Sequence, residues 1–203
     1  YIKLAINDSN SDIRIVGVRL ARLLKSGRLR VARKLIQDSS PQVRREVAIL
    51  IRHDESVEAA RIWSALAVQY DGHDRWYLEA LGLSADGQWD RYLDAWLDQV
   101  GDDWKTSSGR DILWRSRATK TAYYLGRIIS NTDLSVAELL RYFRACDFLD
   151  PVTVRPVLKN LIVSIEGEGD RRMLVYNESI DRLSGFQLEQ NPQYQLIVNR
   201  MLE

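Results

Sequence analysis

The sequence predicts an all-α protein, an α-solenoid of stacked antiparallel helix pairs. Three observations predict it. Apolar residues recur at three- and four-residue spacing along the chain. A helix–turn–helix unit returns at intervals of roughly 30 residues. Gly (11) and Pro (4) are few in 203 residues, which favours long helices over many tight turns. Alternating β-branched runs bounded by turn pairs are missing, so strands are expected to be essentially absent.

The repeat is read from three Asp-led turns. "NDSNSDIRIVGVRLARLL" begins at residue 7; "QDSS" begins at residue 37 and leads into "PQVRREVAILIRH". Aligning Asp8 with Asp38 brings Ile13 onto Val43, Arg14 onto Arg44, Gly17 onto Val47 and Leu20 onto Leu50. A further shift of 33 residues brings Asp71 into line, with Trp76, Ala80 and Leu83 on the same apolar stripe. "RLRVARKLIQ" (28–37) and "VEAARIWSALAVQY" (57–70) supply the preceding helices. Neither helix of a pair can bury its stripe alone, so neighbouring pairs must stack. Ser40-Pro41 fits a capping hydroxyl followed by proline at the first helical position.

Further along, "GQWDRYLDAWLDQVGDDW" (87–104) reads as an amphipathic helix ending near Gly101. "TSSGRDILWRSRATKTAYYLGRIISN" (106–131) reads as one long helix from about 110, with Asn131 at its C-terminal end. "SVAELLRYFRACDFLD" (135–150) and "DPVTVRPVLKNLIVSI" (150–165) form another pair, the second starting after Pro156 or bending there. "EGEGD" (166–170) is a boundary signal. The expected organisation is therefore helical repeats over 1–165. Residues 166–203, with helices in "RRMLVYNESIDRLSGF" and "PQYQLIVNRMLE", form a cap or lead into a following domain.

Composition fits a globular domain: 45% hydrophobic and 28% charged residues in a chain able to bury about 70% of its unfolded surface. No run approaches the roughly 18 apolar residues of a membrane span. The chain opens at Tyr1 inside a helical pattern, without an initiator Met or a signal-like segment, and is expected to be a piece of a longer protein. The net charge of +1 hides an imbalance. Residues 1–52 hold 12 Lys+Arg against 4 Asp+Glu, and the remaining 151 hold 17 against 24. Such asymmetry marks an anionic partner, or it is the solvated face of a few helices.

Chemistry is sparse. The single cysteine, Cys146, sits among apolar neighbours and reads as a small buried hydrophobe. The only histidines, His53 and His73, lie far from it in sequence. "YDGHD" (70–74) gathers Asp71, His73 and Asp74, but it falls where the other units have "NDSNS" (7–11) and "QDSS" (37–40). It reads as a turn, with Asp71 ending one helix, Gly72 permitting the bend and Asp74 capping the next. Metal sites need three or four converging ligands, more than this loop offers. No nucleophile elbow, phosphate loop, zinc-protease helix or dinucleotide fingerprint is present. Six tryptophans lie between residues 63 and 114; Trp63, Trp76 and Trp96 fall on apolar stripes and are expected in helix packing, with a groove for a planar ligand as the sharper alternative.

Residues 38–50, where Asp38 and Ser39 precede "SPQVRREVAIL", resemble the second helix of a HEAT repeat through Asp38, Pro41, Val43 and Arg44. Residues 8–20 match with Asp8, Ile13 and Arg14 but have Ser11 in place of Pro. The resemblance implies a ladder of Asp and Arg between adjacent repeats. The third unit departs from it, with Tyr77 at the Arg position and Arg75 two places earlier. More specifically, 70–97, "WRSRATKTAYYLGRIIS" and "LLRYFRACDFLD" look like the HEAT segment of large exported bacterial proteins. There a sugar-dehydrogenase-like β-propeller precedes the repeats and a c-type haem domain follows. This resemblance covers most of residues 8–165 and implies an exported, periplasmic parent in a redox context. The haem-attachment motif itself is missing from this chain.

The expected function is a non-catalytic scaffold or protein-interaction module, with no catalytic, cofactor or metal residues of its own. Its partners would be other domains of the parent chain or a separate protein. The alternative is nucleic-acid binding by the basic N-terminal third, as in HEAT-like DNA glycosylases, through Arg14, Arg44, Arg45 and Arg52 on one side. The interleaved acidic residues after position 52 count against a long anionic track, so nucleic acid is the less favoured partner.

Overall fold

The computed structural model describes residues 1–131, 133–165 and 169–184. Those residues form helices and turns with no strand among them, so the protein is all-α. No helix among them is long and apolar enough to cross a membrane. Contacts divide the chain into two compact units, Tyr1–Ala118 and Thr119–Glu203, a division earlier than the composition-based boundary at 165/166. Residues 166–168, within that expected boundary, and the expected helix at 192–203 lie outside the described residues.

The first unit runs α1 (Ile2–Ala5), α2 (Ser11–Leu23), α3 (Arg28–Leu35), α4 (Pro41–Leu50), α5 (Val57–Ala67), α6 (Arg75–Ser84), α7 (Trp89–Val100), a 3-10 turn (Gly101–Lys105) and α8 (Ser107–Arg115). Within it α2 packs on α4, α4 on α6 and α6 on α8, while α3 packs on α5 and α5 on α7. Short polar side chains start the helices. Asn10 accepts from Asp12 N at 2.8 Å, Ser56 from Ala59 N at 3.1 Å, Asp74 from Tyr77 N at 3.0 Å and Thr106 from Gly109 N at 3.2 Å. Ser40 differs from expectation: Pro41 does occupy the first turn, but the Ser40 hydroxyl donates to Gln42 Oε1 at 2.9 Å and makes no cap to the backbone.

Counting from the N-caps Asn10, Ser40 and Asp74 corrects the third frame of the repeat. The N-cap lies two residues after Asp8 and Asp38 but three after Asp71, because "DGHD" carries one residue more than "DSS". The offset from α4 to α6 is therefore 34 residues, one more than the Asp-to-Asp spacing. Tyr77, not Trp76, is the counterpart of Val43; Leu81 is the counterpart of Val47; and Leu78 stands where Arg44 does. Burial follows this register. Val43, Val47, Tyr77, Leu78 and Leu81 are buried, whereas Trp76 is 72% exposed and Leu83 is also exposed. A one-residue shift turns a helical side chain by about 100°, enough to move the indole out of the core.

The other tryptophans expected in packing are there. Trp63 is fully buried, with Trp89 edge-on at 5.8 Å, Tyr92 at 5.7 Å and its indole N–H donated to Leu81 O at 3.0 Å. Trp96 is buried on α7, whose end at Gly101 has φ 52°, a conformation that favours glycine.

The long helix expected over 110–131 is two helices. α8 stops at Arg115, since Ser116 turns extended and its hydroxyl accepts from Ala118 N at 3.2 Å. Arg117 folds back over the terminus and donates to the Trp114, Arg115 and Ser116 carbonyls at 3.2, 3.1 and 2.7 Å. The end carbonyls of α8 thus find a donor without continuing the helix.

In the second unit α9 (Thr121–Ile129) packs on α10 (Val136–Cys146) and α11 (Pro151–Ser164), and α12 (Asp170–Ser184) packs on α10 and α11. Ser135 and Glu138 close a capping box on α10. Asp150 caps α11, which starts at Pro151 and continues through Pro156. Gly126 lets α9 approach α11 closely; a Cβ there would lie 2.5 Å from Val157 Cγ1. Arg171 of α12 closes the end of α9, donating to the Ile129 and Asn131 carbonyls at 2.8 and 2.6 Å.

The corrected register makes a sharp contrast between neighbours. Tyr77→Ala should cost about 3 kcal/mol or more, as for other large-to-small core changes. Trp76→Ala should shift stability by under about 0.5 kcal/mol, the range of ordinary surface sites. Urea unfolding of both variants checks it, and equal losses would restore the 33-residue frame.

Candidate interaction groove

Arg14 and Arg44 occupy equivalent places, four residues after their N-caps, and do equivalent work. Arg14 Nη1 donates to the Asp8 and Ser9 carbonyls at 3.0 and 2.9 Å; Arg44 Nη1 donates to the Asp38 and Ser39 carbonyls at 2.6 and 3.4 Å. Each arginine ties its helix to the turn ahead of it. Arg14 then reaches the next pair, with Nε and Nη2 both 2.7 Å from the Asp38 carboxylate. Arg44 finds no such carboxylate. Its Nε lies 3.4 Å from the Tyr77 hydroxyl, and its guanidinium stands 5.6 Å from the Tyr77 ring centroid. Burial works to raise the Asp38 carboxyl, but Arg14 and the Ser40 N–H outweigh it and hold Asp38 below its ordinary value.

Three of the four candidate arginines, Arg14, Arg45 and Arg52, stand beside carboxylates. Arg52 pairs with Asp86 at 2.8 Å, and Arg45 lies 3.6 Å from Asp74. Nearby, Arg28 closes the end of α4 through the Leu50 and Arg52 carbonyls at 3.0 and 2.9 Å. Much of the positive charge of the first 52 residues is thus matched by acids or helix carbonyls.

Of the four, Arg45 lines a cavity. It opens along α2, α4 and α6, with a volume of about 570 Å³. Ile15, Ile49, Ala80 and Leu83 supply apolar wall, Trp76 stands at one side, and Arg19, Arg45, Glu46 and Glu79 supply charge. Arg19 is held to Glu46 at 2.5 Å, and Glu79 binds both Arg75 and Arg115, at 3.2 and 2.9 Å. Arg115 reaches Glu79 across Gly82, where any Cβ would run into the guanidinium. The groove therefore combines apolar wall with two acids and two arginines in balance. Sequence reasoning missed it through the register. Once the third turn is given its extra residue, Trp76 aligns with Asp12 and Gln42, and an indole at an otherwise polar position was the available signal.

The 70–74 loop is a turn. The Asp71 carboxylate accepts from the backbone of His73 at 2.8 Å and of Asp74 at 3.2 Å, which holds its pKa below the ordinary value. Gly72 has φ 85°, and Asp74 caps α6. α5 stops at Ala67, so Asp71 organises the turn and does not itself end the helix. Among the described residues no three His, Cys, Asp or Glu side chains converge. Cys146 is buried on α10, and burial pushes its thiol up to about 12, far from a reactive thiolate. No family model, curated protein or solved structure matches the chain.

Two outcomes follow from these contacts. Asp38 has a lowered folded pKa, so its contribution is present above the ordinary carboxylate value near ~3.9 and is lost as pH falls through the folded value. The melting-temperature gap between the parent protein and Asp38→Asn should be widest at neutral pH and close progressively in acid. A gap independent of pH would remove Asp38 from the acid response. His73→Ala should change stability by under about 0.5 kcal/mol, and elemental analysis of protein purified without chelator should find no stoichiometric zinc.

Proposed function

We propose that the chain is a non-catalytic HEAT-like α-solenoid that holds a protein partner in the groove along α2, α4 and α6. Consecutive packing of alternate helices and the Arg14–Asp38 link between pairs support the stacked-repeat reading. One observation carries the function: Trp76, 72% exposed, stands beside an apolar groove while Trp63, Trp89, Trp96 and Trp104 are buried. Exposed aromatic anchors over apolar walls with a charged margin are the make-up of protein-binding hot spots. On the sequence resemblance alone, the partner is another domain of a large exported, redox-related parent protein. The nucleic-acid alternative is disfavoured by the pairing of Arg14 and Arg52 with Asp38 and Asp86.

A displayed random-peptide library panned on the immobilised protein tests the groove. Enriched peptides should lose at least about tenfold in affinity on Trp76→Ala, as for other aromatic anchors; peptides indifferent to Trp76 and Leu83 would overturn the assignment. Fluorescence anisotropy on random and structured oligonucleotides tests the alternative. Binding should be weak and steeply lost between low and physiological salt. Tight, salt-resistant binding abolished by Arg44→Glu with Arg45→Glu would replace the protein-partner reading.

A further inference from the structure

The corrected register exposes an asymmetry at α2. Three residues after the N-cap, Val43 of α4 is 0% exposed and Tyr77 of α6 is also buried, but Ile13 of α2 is 41% exposed. Ile13 continues along α2 into Val16, the half-buried Leu20 and Leu23, a stripe at three- and four-residue spacing, with Val16 and Leu23 exposed. α4 has α2 on one side and α6 on the other; α2 has α4 after it and no helix pair before it among the described residues.

The polar half of the same interface is open as well. Asp38 takes the backbone N–H of Ser40 at 2.9 Å and both Arg14 bonds from the preceding pair. Asp8, its counterpart, takes the matching backbone N–H of Asn10 at 2.8 Å, and its side chain is exposed. Arg14 already hooks the carbonyls of this turn, as Arg44 does in the next. Ile13, Leu20 and Asp8 thus stand at the places that Val43, Leu50 and Asp38 hold in the following pair, with Val16 and Leu23 adding exposed apolar surface.

We propose that this edge of α2 is a stacking interface for a further helix pair of the chain's own repeat type. Its second helix would lay an apolar stripe on Ile13 and Leu20 and carry an arginine, four residues after its N-cap, that binds Asp8 bidentately. The inference rests on the stacked-repeat reading but not on the groove, and its test reads α2 where the earlier one reads Trp76.

The probe is a copy of residues 1–30 placed ahead of Tyr1, since the 30-residue offset sets the copied Arg14 against Asp8 as Arg14 stands against Asp38. Hydrogen exchange of α2 amides should slow tenfold or more in the extended chain. Ile13→Glu should leave the melting temperature of the parent chain almost unchanged and lower that of the extended one, where Ile13 takes the enclosed place that Val43 holds in α4. Asp8→Asn and Arg14→Ala in the copy should each reverse part of the protection, and together no more than either alone. Unchanged α2 exchange, or additive effects of the two substitutions, would overturn the proposal. So would a parent chain that sediments as a dimer dissociated by Ile13→Glu, which would assign the edge to a second copy.

Discussion

Arg14 and Arg44 fasten α2 and α4 to the turns ahead of them, and Arg14 also fastens one helix pair to the next. A short turn exposes several backbone carbonyls at the point where two helices meet. A guanidinium with five donors in a fixed fork satisfies two of them and still has N–H groups to spare. Those spare donors reach Asp38 in one case and the Tyr77 hydroxyl in the other. The helices on either side are thereby held at the spacing their apolar stripes require.

The same solution recurs with different residues. Arg28 closes α4, Arg117 closes α8 and Arg171 closes α9, each by donating to end-of-helix carbonyls. Arginine in this protein is therefore largely a structural residue. A count of positive charge over residues 1–52 overstates what a ligand meets, because a guanidinium turned inward onto carbonyls or paired with a carboxylate has little left to offer an external anion.

Where a unit departs from the repeat, chemistry changes. The third unit has no arginine at the ladder position in either frame, and the extra residue in the Asp71 turn puts Leu78 there in place of Tyr77. Arg44 then settles on an aromatic ring instead of a carboxylate. The same rotation carries Trp76 out to the groove and Tyr77 into the core, where its hydroxyl donates to Leu66 O at 3.0 Å. The insertion accounts for the exposed indole, and the missing arginine for the interrupted ladder.

The sequence by itself determined the helical class, the pairing of helices over the first three units, and the structural character of the 70–74 turn. Those features rest on local spacing, capping residues and turn glycines, which act within a few positions. Tertiary structure alone decided the register of α6, the break after Arg115 and the fate of the arginines. The first turned on one added residue that leaves the Asp alignment intact while rotating every side chain after it. The break depends on Ser116 and Arg117 satisfying carbonyls that a helical continuation would also have satisfied, so spacing could not separate the two. Whether Arg14, Arg44, Arg45 and Arg52 face solvent, a carbonyl or a carboxylate depends on residues 5 to 34 positions away, a distance at which periodicity carries no information.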